Sequence, residues 1–189
     1  MSIRHASADI AAAVETFRQG GVVAYPTEAV WGLGCVPTDK QAVHKILNLK
    51  QRSVDKGLIL VGSSANQFSL YLDGLEKHYS GRFVTQPKTP TTWLVPDNGT
   101  APSWIVGKHQ SVALRVSDHP IVVALCDALG GPIVSTSANP QGLPAAVNET
   151  QVRAYFSATI DFLVTGEVAG ASAPSEIKDL LTGEVFRPG

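Results

Sequence analysis

The sequence predicts an α/β protein with a mixed sheet. Segments with a helical apolar period alternate with short runs of β-branched and aromatic residues, which is the α/β pattern. Cap and turn residues punctuate most of the boundaries. Extended pieces gather towards the C-terminal end, which argues against a purely parallel sheet. The chain has 189 residues, without an internal repeat or an evident interdomain linker, and is expected to form a single domain over 1–189.

Taken in order, Ile10, Ala13, Val14 and Phe17 fall at i, i+3, i+4 and i+7, predicting a helix over 7–19 that stops at Gly20. Residues 21–25 read as a buried strand ended by Pro26. Thr38-Asp39-Lys40-Gln41 has the capping-box pattern and opens a helix with Val43, Ile46 and Leu47 on its apolar face. Residues 58–61 form the next strand, and 64–72 and 75–83 the next helical pieces. A strand over 91–95 ends at Pro96, and 96–107 is a loop punctuated by Gly and Pro. Residues 111–116 are a strand. Asp118 is expected to cap a helix reaching Leu129, with Gly130 as its stop. Strands follow over 132–135 and 160–164, with a short helix opened by Asn148 between them. Residues 165–175, rich in Gly, Ala and Ser, are expected to be a mobile loop, and two short strands near Glu176 and Glu184 close the chain.

Composition excludes several classes. With 15 basic and 16 acidic residues, the chain lacks the excess of positive charge usual in generic nucleic-acid binders. Two cysteines, Cys35 and Cys126, support neither a disulfide framework nor a metal-ligand spacing and read as buried thiols. No secretory signal core follows the first residues, and no apolar run reaches the ~20 residues of a membrane span. A cytoplasmic location without a membrane partner is therefore expected. No Walker loop, G-x-G-x-x-G or G-x-S-x-G elbow is present. The five histidines show no ligand spacing, so no metal site is expected.

Positive charge is nevertheless concentrated locally. Between Lys40 and Lys56 there are five basic residues and one acid. Lys50 and Arg52, two apart, would share one side of an extended segment and suit a polyanion such as a triphosphate. The run also reads as a solvated charged loop. Polar residues sit at several strand ends: Thr27 and Glu28, Arg115, and Ser135 to Asn139. Ligands of open α/β sheets bind outside strand ends. Hydroxyls, amides and cations without an obvious general base suit transfer at phosphorus, driven by positioning and charge stabilisation.

These residues fall in segments similar to those of the YrdC-like family. Tyr25-Pro26-Thr27-Glu28-Ala29-Val30-Trp31-Gly32-Leu33-Gly34 resembles its P-T-E signature, and Lys50-Gln51-Arg52 followed by Lys56-Gly57-Leu58 resembles its K-x-R segment. Arg115 to Pro120, Pro132 to Asn139, Pro174 to Ile177 and Phe186 to Gly189 resemble further family segments in the same order. The resemblance spans nearly the whole chain. It implies a twisted open sheet with flanking helices and a concave basic face. It also implies synthesis of L-threonylcarbamoyladenylate from L-threonine, bicarbonate and ATP, with release of pyrophosphate. The product would pass to the tRNA threonylcarbamoyl transferase complex that modifies the adenosine beside the anticodon. ATP would be a substrate accompanied by Mg²⁺, with no tightly bound cofactor.

By the same resemblance, Thr27, Arg115, Ser135 and Ser175 would hold threonine. Arg52, Lys56, Ser111, Ser137, Asn139, Ala145 and Arg187 would hold ATP, with Lys50 lining the same cavity. Lys50 and Arg52 would be the catalytic cations, and Glu28 is the nearest acid for a water-mediated metal role. The chain departs from the family at Pro87-Lys88-Thr89-Pro90-Thr91-Thr92, where W-P-G-P-x-T is frequent, and Val61 replaces a histidine of longer relatives. Those relatives also carry a C-terminal domain, which is not expected here. Two other readings stay open: an RNA-binding module for rRNA or tRNA maturation, with RNA on the basic face, and an enzyme of the same fold that adenylates a carbamoyl group derived from carbamoyl phosphate.

Overall fold

The computed structural model describes residues 3–85, 87, 89–171 and 173–189. Lys88 of the divergent 87–92 stretch and Ser172 of the 165–175 segment lie outside that set, as do Met1 and Ser2. Helices are α1 (Ile3–Arg18), α2 (Lys40–Lys50), α3 (Ser69–Leu72), α4 (Lys77–Val84), α5 (Ser103–Val106), α6 (Pro120–Leu129) and α7 (Glu149–Phe156). Strands are β1 (Val23–Pro26), β2 (Trp31–Gly34), β3 (Ile59–Gly62), β4 (Thr91–Pro96), β5 (Ser111–Val116), β6 (Ile133–Ser137), β7 (Phe162–Leu163), β8 (Glu176–Asp179) and β9 (Val185–Arg187). They form one sheet in the order β7-β1-β2-β6-β3-β5-β4-β8-β9. The β1–β7, β3–β5 and β4–β8 pairs are parallel and the others antiparallel, so the sheet is mixed, as expected.

Several local expectations are corrected. The capping box does not form from Thr38. Asp39 caps α2 instead, its carboxylate accepting from the Ala42 N–H. Asp118 does not cap α6. The cap is His119, whose Nδ1 accepts from the Ile121 N–H, with Pro120 opening the helix. The loop expected over 96–107 contains α5, whose Ile105 and Val106 are buried. Strand β2 was not foreseen, because Trp31-Gly32-Leu33-Gly34 reads as glycine-rich turn. Its glycines instead allow close backbone approach: a Cβ at Gly34 would lie 2.6 Å from the Val134 carbonyl and 2.8 Å from the Tyr25 ring.

The two faces of the sheet are covered unequally, and this creates the site. One face carries Ala24, Leu33, Leu60, Trp93, Val95, Val112 and Leu114 into the larger core with α2. On the other face, Val23, Tyr25, Val61 and Ile133 pack beneath α1 and α6. These helices reach β1, β3 and β7. Beyond β3, the same face of β5, β4, β8 and β9 lines an open cleft. Cys35 and Cys126 are buried free thiols, and burial pushes Cys126 up to about 12, as suits unreactive core groups.

Candidate active site

The cleft has a volume of about 720 Å³, within the range of small-molecule sites. Its floor follows from strand alternation. Ser111, Ala113 and Arg115 occur at every second position of β5 and line the cleft, as do Ile59 and Val61 of β3. The register carries a row across the sheet. Arg115 pairs with Val61 on one side and with Thr92 on the other, Thr92 pairs with Ile177, and Ile177 pairs with Arg187. Ser111 and Arg115 are four residues apart, so the cleft extends about 13 Å along β5 between them.

At the Arg115 end, Thr27, Glu28, Ser175 and Arg187 converge. The Arg115 guanidinium forms an ion pair with Glu28 through Nη2 and Oε2, and Glu28 Oε1 accepts from the Ser117 hydroxyl at 2.7 Å. Burial alone would raise the Glu28 pKa, but Arg115 and Ser117 outweigh it and hold the carboxyl below its ordinary range. Both carboxylate oxygens are thus engaged, and the water-mediated metal role considered for Glu28 is not supported. Among the described residues, no cluster of His, Cys, Asp and Glu side chains forms a metal-binding set. Thr27 Oγ1 donates to the Val30 carbonyl at 2.7 Å, leaving its lone pairs for a ligand. Ser175 Oγ lies 2.8 Å from Thr92 Oγ1, and the Ser175 carbonyl accepts from Arg187. The segment expected to be mobile is tied here: the Ala169 and Ala171 N–H groups donate to the Thr27 and Glu28 carbonyls, and the His119 ring meets the Glu167 carbonyl.

At the other end stand Arg52, Lys56, His109, Gln110 and Ser111. Gln51 terminates α2 in the left-handed conformation at φ 53°, turning the chain between Lys50 and Arg52. The two cations are therefore not side by side on an extended segment. Arg52 faces the cleft and anchors its guanidinium on the Gly57 carbonyl at 3.1 Å, and its Nε is buried without a hydrogen-bond partner among the described residues.

Lys50 lies behind the wall. It is 4% exposed and does not line the cleft. Its ammonium donates to the Ser137 carbonyl, to the Asn139 carbonyl at 2.8 Å and to Asn139 Oδ1 at 3.3 Å. Burial, helped by Arg52, pushes its pKa down to about 8. Asn139 is likewise absent from the cleft lining; its Oδ1 accepts from the Ser137 hydroxyl at 2.6 Å. Lys50 and Asn139 thus form a tether that fixes the turn after β6, which corrects their placement in the cavity. Thr27, Arg52, Lys56, Ser111, Arg115, Ser135, Ser137, Ala145, Ser175 and Arg187 all line the cleft. Sequence reasoning missed Glu28 as the partner of Arg115, Ser117 as the hydroxyl that donates to Glu28, and His109, Gln110 and Phe186 as lining or rim. The alternation of Ser111, Ala113 and Arg115 on one strand face was the available signal for the floor.

Comparisons with known proteins identify the family. The model of the Sua5/YciO/YrdC family, described as telomere recombination, matches residues 15–189. Over 176 residues the chain is 52% identical to a threonylcarbamoyl-AMP synthase of Cellvibrio japonicus, covering 93% of each protein. It is 53% identical over 171 residues to a threonylcarbamoyl-AMP synthase of Stutzerimonas stutzeri, covering 90% of this chain and 92% of the relative. Among solved structures, it is similar to P. abyssi Sua5 complexed with L-threonine. There the TM-score is 0.87 at 29% identity, covering 95% of this chain and 54% of that one. By the extent of the family match and by identity to relatives along nearly its whole length, the chain belongs to the Sua5/YciO/YrdC family.

Proposed function

We propose that this chain, acting as one domain, synthesises L-threonylcarbamoyladenylate from L-threonine, bicarbonate and ATP, releasing pyrophosphate for the benefit of tRNA modification. The observation that carries this reading is a single cleft with two chemically different ends. One presents Arg115, Arg187 and hydroxyl-bearing residues, and the other presents Arg52, Lys56 and Ser111. The family relation and the threonine complex of P. abyssi Sua5 support it.

In this reading Arg115 binds the threonine carboxylate, with Thr27, Ser135 and Ser175 around the amino acid. Threonine's amine condenses with bicarbonate, losing water, to give a carbamate. A carbamate oxygen attacks the α-phosphorus of ATP, forming the mixed anhydride as the bond to pyrophosphate breaks. Arg52 and Lys56 neutralise the charge that builds on the phosphates, with Ser111, Ser137 and Ala145 lining the nucleotide's path, while Arg187, expected at the nucleotide, donates to the Ser175 carbonyl and belongs to the threonine end. Lys50 and Asn139 hold the Ser137 turn from behind. Mg²⁺ would arrive with ATP as part of the substrate. The product would then pass to the tRNA threonylcarbamoyl transferase machinery in the cytoplasm.

The test is amino-acid selectivity. A site that hydrogen-bonds a substrate hydroxyl rejects an analogue lacking it, because its own polar groups go unpaired. Pyrophosphate release from ATP and bicarbonate should be fastest with threonine, slower with serine and small with valine. Equal rates for threonine and valine would remove threonine as the substrate. Arg115→Lys keeps the charge but loses the planar two-pronged donor, and should weaken threonine binding by about 2 kcal/mol, roughly 30-fold. Titration calorimetry with threonine measures this directly. Unchanged affinity in a folded variant would make Arg115 only an internal ion-pair partner.

A further inference from the structure

We infer that Glu28 is a specificity-determining residue whose buried negative charge reserves the Arg115 end of the cleft for a singly charged carboxylate and keeps phosphates out of it. The inference rests on the functional reading above. It starts from a problem the cleft poses. Arginines stand at both ends of one continuous cavity, and ATP is a polyanion that guanidinium groups attract wherever they are free. Nothing in the apolar floor of Ile59, Val61, Ala113 and Ile177 bars a triphosphate from the Arg115 end.

The two ends differ in compensation. At the Arg115 end, Arg115 and Arg187 are close enough for Arg115 to depress the Arg187 pKa, after the larger effect of burial. Glu28, 7% exposed, lies against Arg115, so the trio carries one net positive charge. The Ser117 hydroxyl and the favourable position beside Arg115 keep Glu28 ionised. The side chains of Arg115 and Glu28 are 15% and 9% exposed, which limits the water that could screen the pair. Towards the other end, Asp179 also lines the cleft, its Oδ1 accepting from the Leu181 and Thr182 N–H groups, while Asp55 pairs outwards with Lys108 at 2.9 Å and Arg52 rests on backbone carbonyls. Among the described residues, neither Arg52 nor Lys56 is held in an ion pair with a carboxylate, as Arg115 is with Glu28. A field of one net positive charge suits a single carboxylate, while the Arg52 and Lys56 end retains the stronger pull on phosphates.

Two substitutions separate charge from shape. Glu28→Gln keeps the shape and removes the charge, and Glu28→Asp keeps the charge and shortens the arm. The experiment is threonine titration by calorimetry, without ATP, in low salt and with or without 1 mM inorganic pyrophosphate as the polyanion probe. Pyrophosphate should raise the apparent Kd for threonine less than about twofold in wild type and in Glu28→Asp, and at least about fivefold in Glu28→Gln. Glu28→Ala, also uncharged, should follow Glu28→Gln and serves if the glutamine variant does not fold. Equal resistance to pyrophosphate in the charged and uncharged variants would overturn the inference while leaving the threonine site standing. Failure of wild type to bind threonine at all would overturn the functional reading itself, and the inference with it.

Discussion

Arg52→Ala is expected to slow threonine-dependent pyrophosphate release by at least ~100-fold, the usual scale for losing one preorganised charge donor in a partly closed site. Arg52 faces the cleft at the phosphate end, and its guanidinium is held by the Gly57 carbonyl, so it needs little rearrangement as charge develops. Thermal stability should fall only slightly, because Arg52 is half-buried at the cleft rim and the Gly57 carbonyl can turn to water. Initial-rate kinetics paired with a melting curve measure both. A near-normal rate in a folded Arg52→Ala would remove Arg52 from the phosphate site and reopen the alternative of an RNA-binding surface, which a salt series with RNA would then address.

Lys50→Ala should behave differently, although the two residues are near neighbours in sequence. Its ammonium is the shared donor for the Ser137 carbonyl and for both oxygens of Asn139. Removing it leaves inward-facing acceptors unpaired and a space behind the turn, so a stability loss of about 2–4 kcal/mol is expected. For a chain of this size that lowers Tm by roughly 5–15 °C. The rate should also fall, through displacement of Ser137 rather than through loss of a charge at the phosphates. A pH dependence follows. Lys50 has a folded pKa of about 8 against an ordinary 10.5, so the unfolded chain holds its proton over a range where the folded protein has released it. Stability contributed through this group therefore rises with pH from about 8 to 10.5. The Tm difference between wild type and Lys50→Met should widen across that range. A constant difference would show that Lys50 keeps its proton in the fold.

Much of the architecture was legible in the sequence because it rests on apolar periodicity and on residues with one main structural use. The 3.6-residue spacing of Ile10, Ala13, Val14 and Phe17 gave α1 its buried face, and the Pro-terminated run over 91–96 gave β4 its end. The unforeseen elements have physical reasons. Strand β2 carries glycines because the Val134 carbonyl and the Tyr25 ring leave no space for a Cβ, so its sequence imitates a turn. His119 rather than Asp118 caps α6, a choice made by backbone geometry that side-chain propensity does not reveal. The cleft residues were identifiable through motif resemblance, and the structure gathers Arg52, Lys56, Arg115, Ser175 and Arg187 around one cavity from four separate stretches. Which cation faces the ligand was not legible. Lys50 and Arg52 differ because Gln51 turns through the left-handed region, which a residue list does not show. The Glu28–Arg115 pair joins two segments far apart in sequence, and it became visible only when β5 was set beside the β1–β2 loop.

The most direct test of the proposed reaction is the fate of the carbonate carbon. The purified protein would be incubated with ATP, Mg²⁺, L-threonine and ¹³C-bicarbonate, and the nucleotide products separated and weighed by mass spectrometry. The reading predicts a threonine- and bicarbonate-dependent adenylate that carries the ¹³C label, formed in step with pyrophosphate. An adenylate that acquires its carbon only from added carbamoyl phosphate, or pyrophosphate release indifferent to threonine, would contradict it.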